Sequence, residues 1–152
     1  MREIRTAIEI DAPAVRVWDV LTDVASYDEW NPFIRHLEGE LREGSRLKAT
    51  IAPPDGRATT FTPAVTDLQP RRRIAWLGHL GVRGIFDGEH IHEVEELEPG
   101  RTRYVQRERF TGALVPFVGG MLRKTEEGFR RMNAALKERA ERPASRPRRE
   151  LA

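Results

Sequence analysis

The chain has no cysteine. Disulfides, thiolate nucleophiles and cysteine-based zinc sites are therefore excluded, and the redox compartment stays open. It has no run of 18 apolar residues, so no helical membrane span and no stable membrane insertion are expected. No basic segment followed by an apolar core opens the sequence, which makes the cytoplasm the expected location. There are no repeats and no GxGxxG. Gly119-Gly120 falls within an expected helix rather than after a strand, so it is not a phosphate loop. Ser26 and Ser45 fall at a helix end and a turn with no histidine nearby, which argues against a serine nucleophile.

Charge of one sign is also lacking. The net charge is +2, and it belongs to the tail: from Lys137 onward the chain carries +3, leaving −1 on the body. A solvated, frayed end is the simplest account of that tail. Elsewhere basic residues are interspersed with acids, with no basic stripe interleaved with aromatics, so nucleic acid is not an expected partner.

What is present is enough for one core. A chain of 152 residues with 39% hydrophobic residues makes about one domain. The clearest element is a helix over Val115 to Arg142. Val118, Met121, Leu122, Thr125, Phe129, Met132 and Leu136 recur at steps of three and four, which puts them on one face. Arg123, Lys124, Glu127, Arg130, Arg131 and Lys137 cover the other. Pro116 suits the first turn, where its missing N–H has no partner to lose.

Upstream, Arg2 to Ile10 alternates as a strand with one wet face. Asp11-Ala12-Pro13 stops it, and two short helices follow, the second closed by the corner Trp30-Asn31-Pro32-Phe33. Six further strands follow, joined by short turns such as Pro53-Pro54-Asp55-Gly56 and Glu98-Pro99-Gly100-Arg101. Thr59 to Leu68 reads as one of them, with Pro63 marking an edge or a bulge. Short turns make antiparallel neighbours, and helices segregate from strands, so the fold class is α+β. The expected architecture is a seven-stranded curved antiparallel sheet with the long helix closing its concave side. The domain spans 1–142, and 143–152 is expected to be a disordered basic tail.

Parity on the last two long strands picks out a polar cluster. Phe86, Gly88, His90, His92 and Val94 share one side, and Asp87, Glu89, Ile91, Glu93 and Glu95 the other, which is the wet one. On the final strand Tyr104, Gln106, Glu108 and Phe110 share the inward side. Antiparallel pairing brings His90, His92, Gln106 and Glu108 together. Two readings stay open: polar groups that orient a ligand in an apolar pocket, or a structural cluster that satisfies itself. A His–Glu couple could also serve general acid–base chemistry. His-x-His with Glu108 is a weak metal signal, and the expectation is no metal and no cofactor. Phe61, Trp76, Phe86, Phe110, Met121, Phe129 and Met132 are the expected apolar lining, with Trp30, Phe33 and Tyr104 beside them. His36 and His79 lie near strand ends, and His79 is expected to be exposed.

An opening strand, Asp11-Ala12-Pro13-Ala14-x-x-Val17-Trp18, the Trp30-Asn31-Pro32-Phe33 corner, Gly88-x-His90 and Glu108-x-Phe110-x-Gly112 together resemble the START-type helix-grip superfamily, abbreviated SRPBCC. Within it the chain looks most like the bacterial polyketide cyclase/dehydrase-like, lipid-transport-like branch, over about residues 2 to 140. The resemblance implies a sheet wrapped around a C-terminal helix, with an apolar cavity between them. It implies binding, and possible transport, of a lipid, polyketide or aromatic ligand. It equally allows a cyclase or dehydratase using His90 or His92 with Glu108, or a protein-interaction module, because fold alone does not choose. No His-x4-His motif matches the superfamily's oxygenase iron site. A monomer or homodimer is expected.

Overall fold

The structure, a computed structural model, describes residues 1–143. The tail expected to be disordered lies, from residue 144, outside the described residues. Eight strands and three α-helices follow in order: β1 Arg2–Ile10, α1 Ala14–Thr22, α2 Tyr27–Trp30, β2 Ile34–Glu38, β3 Lys48–Ile51, β4 Thr59–Phe61, β5 Ala64–Gln69, β6 Arg73–His79, β7 Asp87–Glu98, β8 Arg101–Thr111 and α3 Gly119–Glu141. None of these helices is long and apolar enough to cross a membrane.

The class and the helix-grip architecture are as expected, but the strand count and sheet are not. Eight strands form two sheets, a five-stranded one in the order β1-β8-β7-β6-β5 and a three-stranded one in the order β2-β3-β4. The expected Thr59 to Leu68 strand breaks at Thr62-Pro63. Proline has no N–H to give to a ladder, so β4 pairs with β3 and β5 with β6. At this break residues 44–47, just before β3, bridge to the start of β5 at Arg46 and Ala64, with Leu47 N–H donating to Pro63 C=O and Val65 N–H to Ser45 C=O. The long helix also starts later than expected. Val115–Phe117, with Pro116, forms a 3-10 turn, and the α-helix begins at Gly119 without a side-chain cap.

α3 lays Leu122, Phe129, Met132, Leu136 and Ala140 onto the inner face of the large sheet. β1 turns Ile4, Thr6 and Ile10 to the same core. Gly128 has a packing reason to be glycine. A Cβ there would lie 2.4 Å from Phe33 Cδ2, so the helix and the aromatic corner approach closely only because the position is bare.

The outer face of the large sheet is not simply wet. Ala75, Ile91 and Val105 are buried there. They lie beneath charged side chains joined as ion pairs, Arg107 to Glu93 at 2.5 Å and Arg73 to Asp67 at 2.9 Å. The aliphatic stems of such residues cover apolar surface while their heads reach water.

Candidate ligand site

β7 and β8 pair so that His90 faces Glu108 and His92 faces Gln106 across the ladder. All four arise from alternation on two long strands, and β6 adds Trp76 opposite His90. His90, His92 and Gln106 are buried at 4% exposure or less. The imidazoles lie in an aromatic stack: Phe129 of α3 lies flat on His90 at 4.9 Å, and Trp76 meets His90 at 5.3 Å and His92 at 4.8 Å.

Hydrogen bonds divide the cluster into two parts. His90 Nε2 donates to Gln106 Oε1 at 2.8 Å, and Gln106 Nε2 donates to Asn133 Oδ1 at 2.9 Å. Asn133 Nδ2 then donates to Thr6 Oγ1 at 2.8 Å. This chain runs from β7 through β8 to α3 and on to β1, and it satisfies itself. His90 and Gln106 thus take part in a buried hydrogen-bond chain that joins the helix to the sheet. Asn133 and Thr6 escaped the sequence reading. Their signals were available: Thr6 shares parity with Ile4 and Ile10, and Asn133 is four residues beyond Phe129.

The other part is unsatisfied. His92 Nδ1 shares a 2.5 Å hydrogen bond with the Tyr104 hydroxyl, but His92 Nε2 is buried without a partner. Glu108 is half-buried, with no hydrogen-bond or ion-pair partner among the described residues. Its carboxyl fills the space that Gly88 leaves, since a Cβ on Gly88 would lie 2.5 Å from Glu108 Oε1. Beyond it, Phe86 and Phe110 stack at 5.4 Å.

Burial sets the charge of the site. It pushes the Glu108 pKa up to about 8. Burial lowers His90 to about 4, against a smaller opposing effect from its bond to Gln106. Burial, and secondarily the neighbouring His90, holds His92 well below the usual imidazole range, while burial raises Tyr104. At neutral pH the carboxyl is mostly protonated and both imidazoles are neutral, so the site offers hydrogen bonds without net charge. Among the described residues no three His, Asp or Glu side chains gather closely enough to hold a metal ion, so His90, His92 and Glu108 do not form a ligand set.

The expected apolar lining separates by position. Trp76, Phe86, Tyr104, Phe110, Phe129 and Met132 are all buried in the core around the cluster. Phe33 is buried too and meets Phe129 edge-on at 5.5 Å. It also borders a cleft of about 330 Å³ between the Pro53–Gly56 turn and α3 at Gly128. Trp30 is half-buried against Tyr27, and Phe61 is half-buried on β4 in the smaller sheet. Met121 does not face the interior: it is 40% exposed, whereas the next residue of the same turn, Leu122, is buried at 3%. His36 is exposed beside Glu38. His79, expected to be exposed, is half-buried, its Nδ1 2.8 Å from Asp87 Oδ1.

Solved structures share this fold. The Zhui aromatase/cyclase from Streptomyces sp. R1128 is 25% identical, with a TM-score of 0.75 over 93% of this chain and 94% of that one. A START superfamily protein from Mycobacterium smegmatis is 21% identical, with a TM-score of 0.73 over 91% of this chain and 97% of that one. The di-domain ARO/CYC BexL from the BE-7585A biosynthetic pathway is 18% identical, with a TM-score of 0.70; 94% of this chain aligns with 51% of that one. No curated protein matches the chain. The family model described as polyketide cyclase / dehydrase and lipid transport matches residues 1–141, nearly the whole chain, and this protein belongs to that family.

Proposed function

We propose that this protein binds a small hydrophobic ligand between the large sheet and α3, and that Glu108 and His92 receive its one polar, uncharged end. The observation that supports this is the division of the polar cluster. His90 and Gln106 are used up in fastening the helix, whereas the Glu108 carboxyl and His92 Nε2 have no protein partner. Buried polar atoms are nearly always paired, so the orphan His92 Nε2 suits a ligand hydroxyl or carbonyl, and the half-buried Glu108 carboxyl beside it has no protein partner among the described residues to compete. A neutral carboxyl can donate and accept, and a neutral imidazole nitrogen does one or the other. A lipid, polyketide or aromatic compound with a hydroxyl or ketone fits; a carboxylate or phosphate group does not. The ligand's apolar part would pack on Phe86, Phe110 and Trp76.

Native mass spectrometry of protein purified from its host, followed by organic extraction, tests the reading. The expected result is a co-purifying apolar compound with a neutral polar end, bound about tenfold more weakly by Glu108→Ala or His92→Phe. An empty protein that takes up no aromatic or acyl probe would overturn binding. Binding indifferent to both substitutions would overturn the assigned polar end.

A cyclase- or dehydratase-type activity is the second reading, favoured by one feature. Glu108 is an unpaired acid held protonated near neutral pH, which is what a proton donor requires. Glu108→Gln separates the two readings: a binder keeps its affinity, whereas an enzyme loses turnover by roughly 100-fold.

A further inference from the structure

Large apolar side chains are exposed mainly at one end of the molecule. Phe117 is 81% exposed and Val82 68%, and Leu80, Ile85, Leu114 and Met121 lie between 40% and 47%. These six come from two segments, the β6–β7 loop and the stretch from β8 into α3. The segments are held side by side by backbone hydrogen bonds, from Leu114 N–H to Ile85 C=O at 3.0 Å and from Ala113 N–H to Gly84 C=O at 3.2 Å. Gly112 permits the approach, since a Cβ there would lie 2.4 Å from the Ile85 carbonyl oxygen. Among the described residues only Met1, Val15 and Leu97 are large apolar side chains exposed elsewhere, so the exposure is concentrated at this tip.

Within the two segments the charges are nearly all of one sign. Arg83 lies within the first segment, and Arg123 and Lys124 on the first turns of α3. Arg2 reaches Gly119, its Nη1 3.5 Å from where a Cβ would sit. From residue 80 to 88 and from 111 to 125 the one carboxylate is Asp87, and it is held by His79 and by the Gly84 N–H at 3.0 Å. Phe86, Phe110 and Val115 lie directly beneath the tip in the core.

We propose that this tip docks the protein on the surface of an anionic lipid bilayer. Phe117, Val82 and Leu114 would enter the boundary between headgroups and acyl chains, and Arg2, Arg83, Arg123 and Lys124 would meet lipid phosphates. Charge is what selects this occupant. A second copy docked through the same tip by two-fold symmetry would set these cations against one another, whereas an anionic surface neutralises them. Docking is peripheral and needs no spanning helix. It is also independent of what the interior binds.

The test is flotation of the full chain with vesicles of phosphatidylcholine alone or with about one-third phosphatidylglycerol. Binding is expected to the anionic vesicles and to weaken as salt rises. Val82→Ser/Phe117→Ser should reduce it tenfold or more, and Arg83→Gln/Arg123→Gln roughly fivefold per charge removed. Both pairs are exposed, so the unfolding midpoint should not move. No binding to anionic vesicles would overturn the proposal. Binding that survives Val82→Ser/Phe117→Ser would also overturn it, because attraction would then come from elsewhere, such as the arginines after residue 143. A dimer that the same pair dissolves, with no vesicle binding, would show the tip to be a contact between copies and equally overturn it.

Discussion

Replacing Glu108 by glutamine should make the protein more stable at pH 8 and leave it unchanged at pH 4.5. Glu108 is held protonated by its surroundings, with its pKa at about 8 against an ordinary value of 4.5. A raised carboxyl pKa penalises the folded state only when the unfolded chain has already lost the proton. The penalty is therefore absent below about pH 4.5, grows as pH rises, and levels off above 8. Its ceiling is about 1.4 kcal/mol per pH unit. His90 and His92 act on the other flank. Their pKa values are lowered, so the unfolded chain gains protons that the folded one refuses as pH falls below about 6.5. Two imidazoles outweigh one carboxyl between pH 4.5 and 6.5, where stability should rise with pH; above 6.5 the carboxyl alone remains and stability should fall. From pH 6.5 to 8 the ceiling is about 2 kcal/mol, and partial exposure of Glu108 reduces this to roughly 1 kcal/mol. That corresponds to about 2–4 °C in melting temperature for a chain of this size. Thermal or urea unfolding by circular dichroism across pH 4.5 to 8.5 reads it directly. The natural protein should be most stable near pH 6.5, and Glu108→Gln should be flat above that. Equal slopes for the two proteins above pH 6.5 would show that Glu108 ionises freely in the fold, and the uncharged site would be wrong.

Gln106→Leu should cost about 2–5 kcal/mol in urea unfolding, because it strands His90 Nε2 and Asn133 Oδ1 in a dry interior; a loss below 1 kcal/mol would mean that the network is not what fastens α3. Gly128→Ala gains about 1 kcal/mol of helix propensity but forces Phe33 aside at a cost of about 1–3 kcal/mol. The net result should be a protein of equal or lower stability, with a disturbed Phe33 ring signal by NMR; clear stabilisation with that signal unmoved would refute the close approach.

Most of the fold could be read locally. The α3 stripe, the alternation on β1, β7 and β8, and the proline and glycine turns are short-range patterns, and a helix or strand that buries one face must display its period. Parity alone was enough to turn His90, His92, Gln106 and Glu108 to the same side. Three features were not legible. Val115-Pro116-Phe117 has helical spacing but forms a 3-10 turn, and on the first turn of α3 it is Leu122, not Met121, that is buried. The β4–β5 break at Pro63 needed knowledge of which strand each half pairs with. Ile91 shares parity with charged neighbours and is still buried, because Arg107 and Glu93 close over it.

The sequence by itself thus determined the α+β class, the pairing of the last two strands and the inward side of the polar cluster. These depend on periods of 2 and 3.6 residues, which adjacent positions encode. Only the tertiary structure decided which of those polar groups are hydrogen-bonded within the protein. Asn133 and Thr6 come from opposite ends of the chain, and their meeting at 2.8 Å completes the network of His90 and Gln106, leaving Glu108 and His92 Nε2 unpaired. A contact between residues 127 positions apart is set by how the helix lies on the sheet, and no local pattern records it.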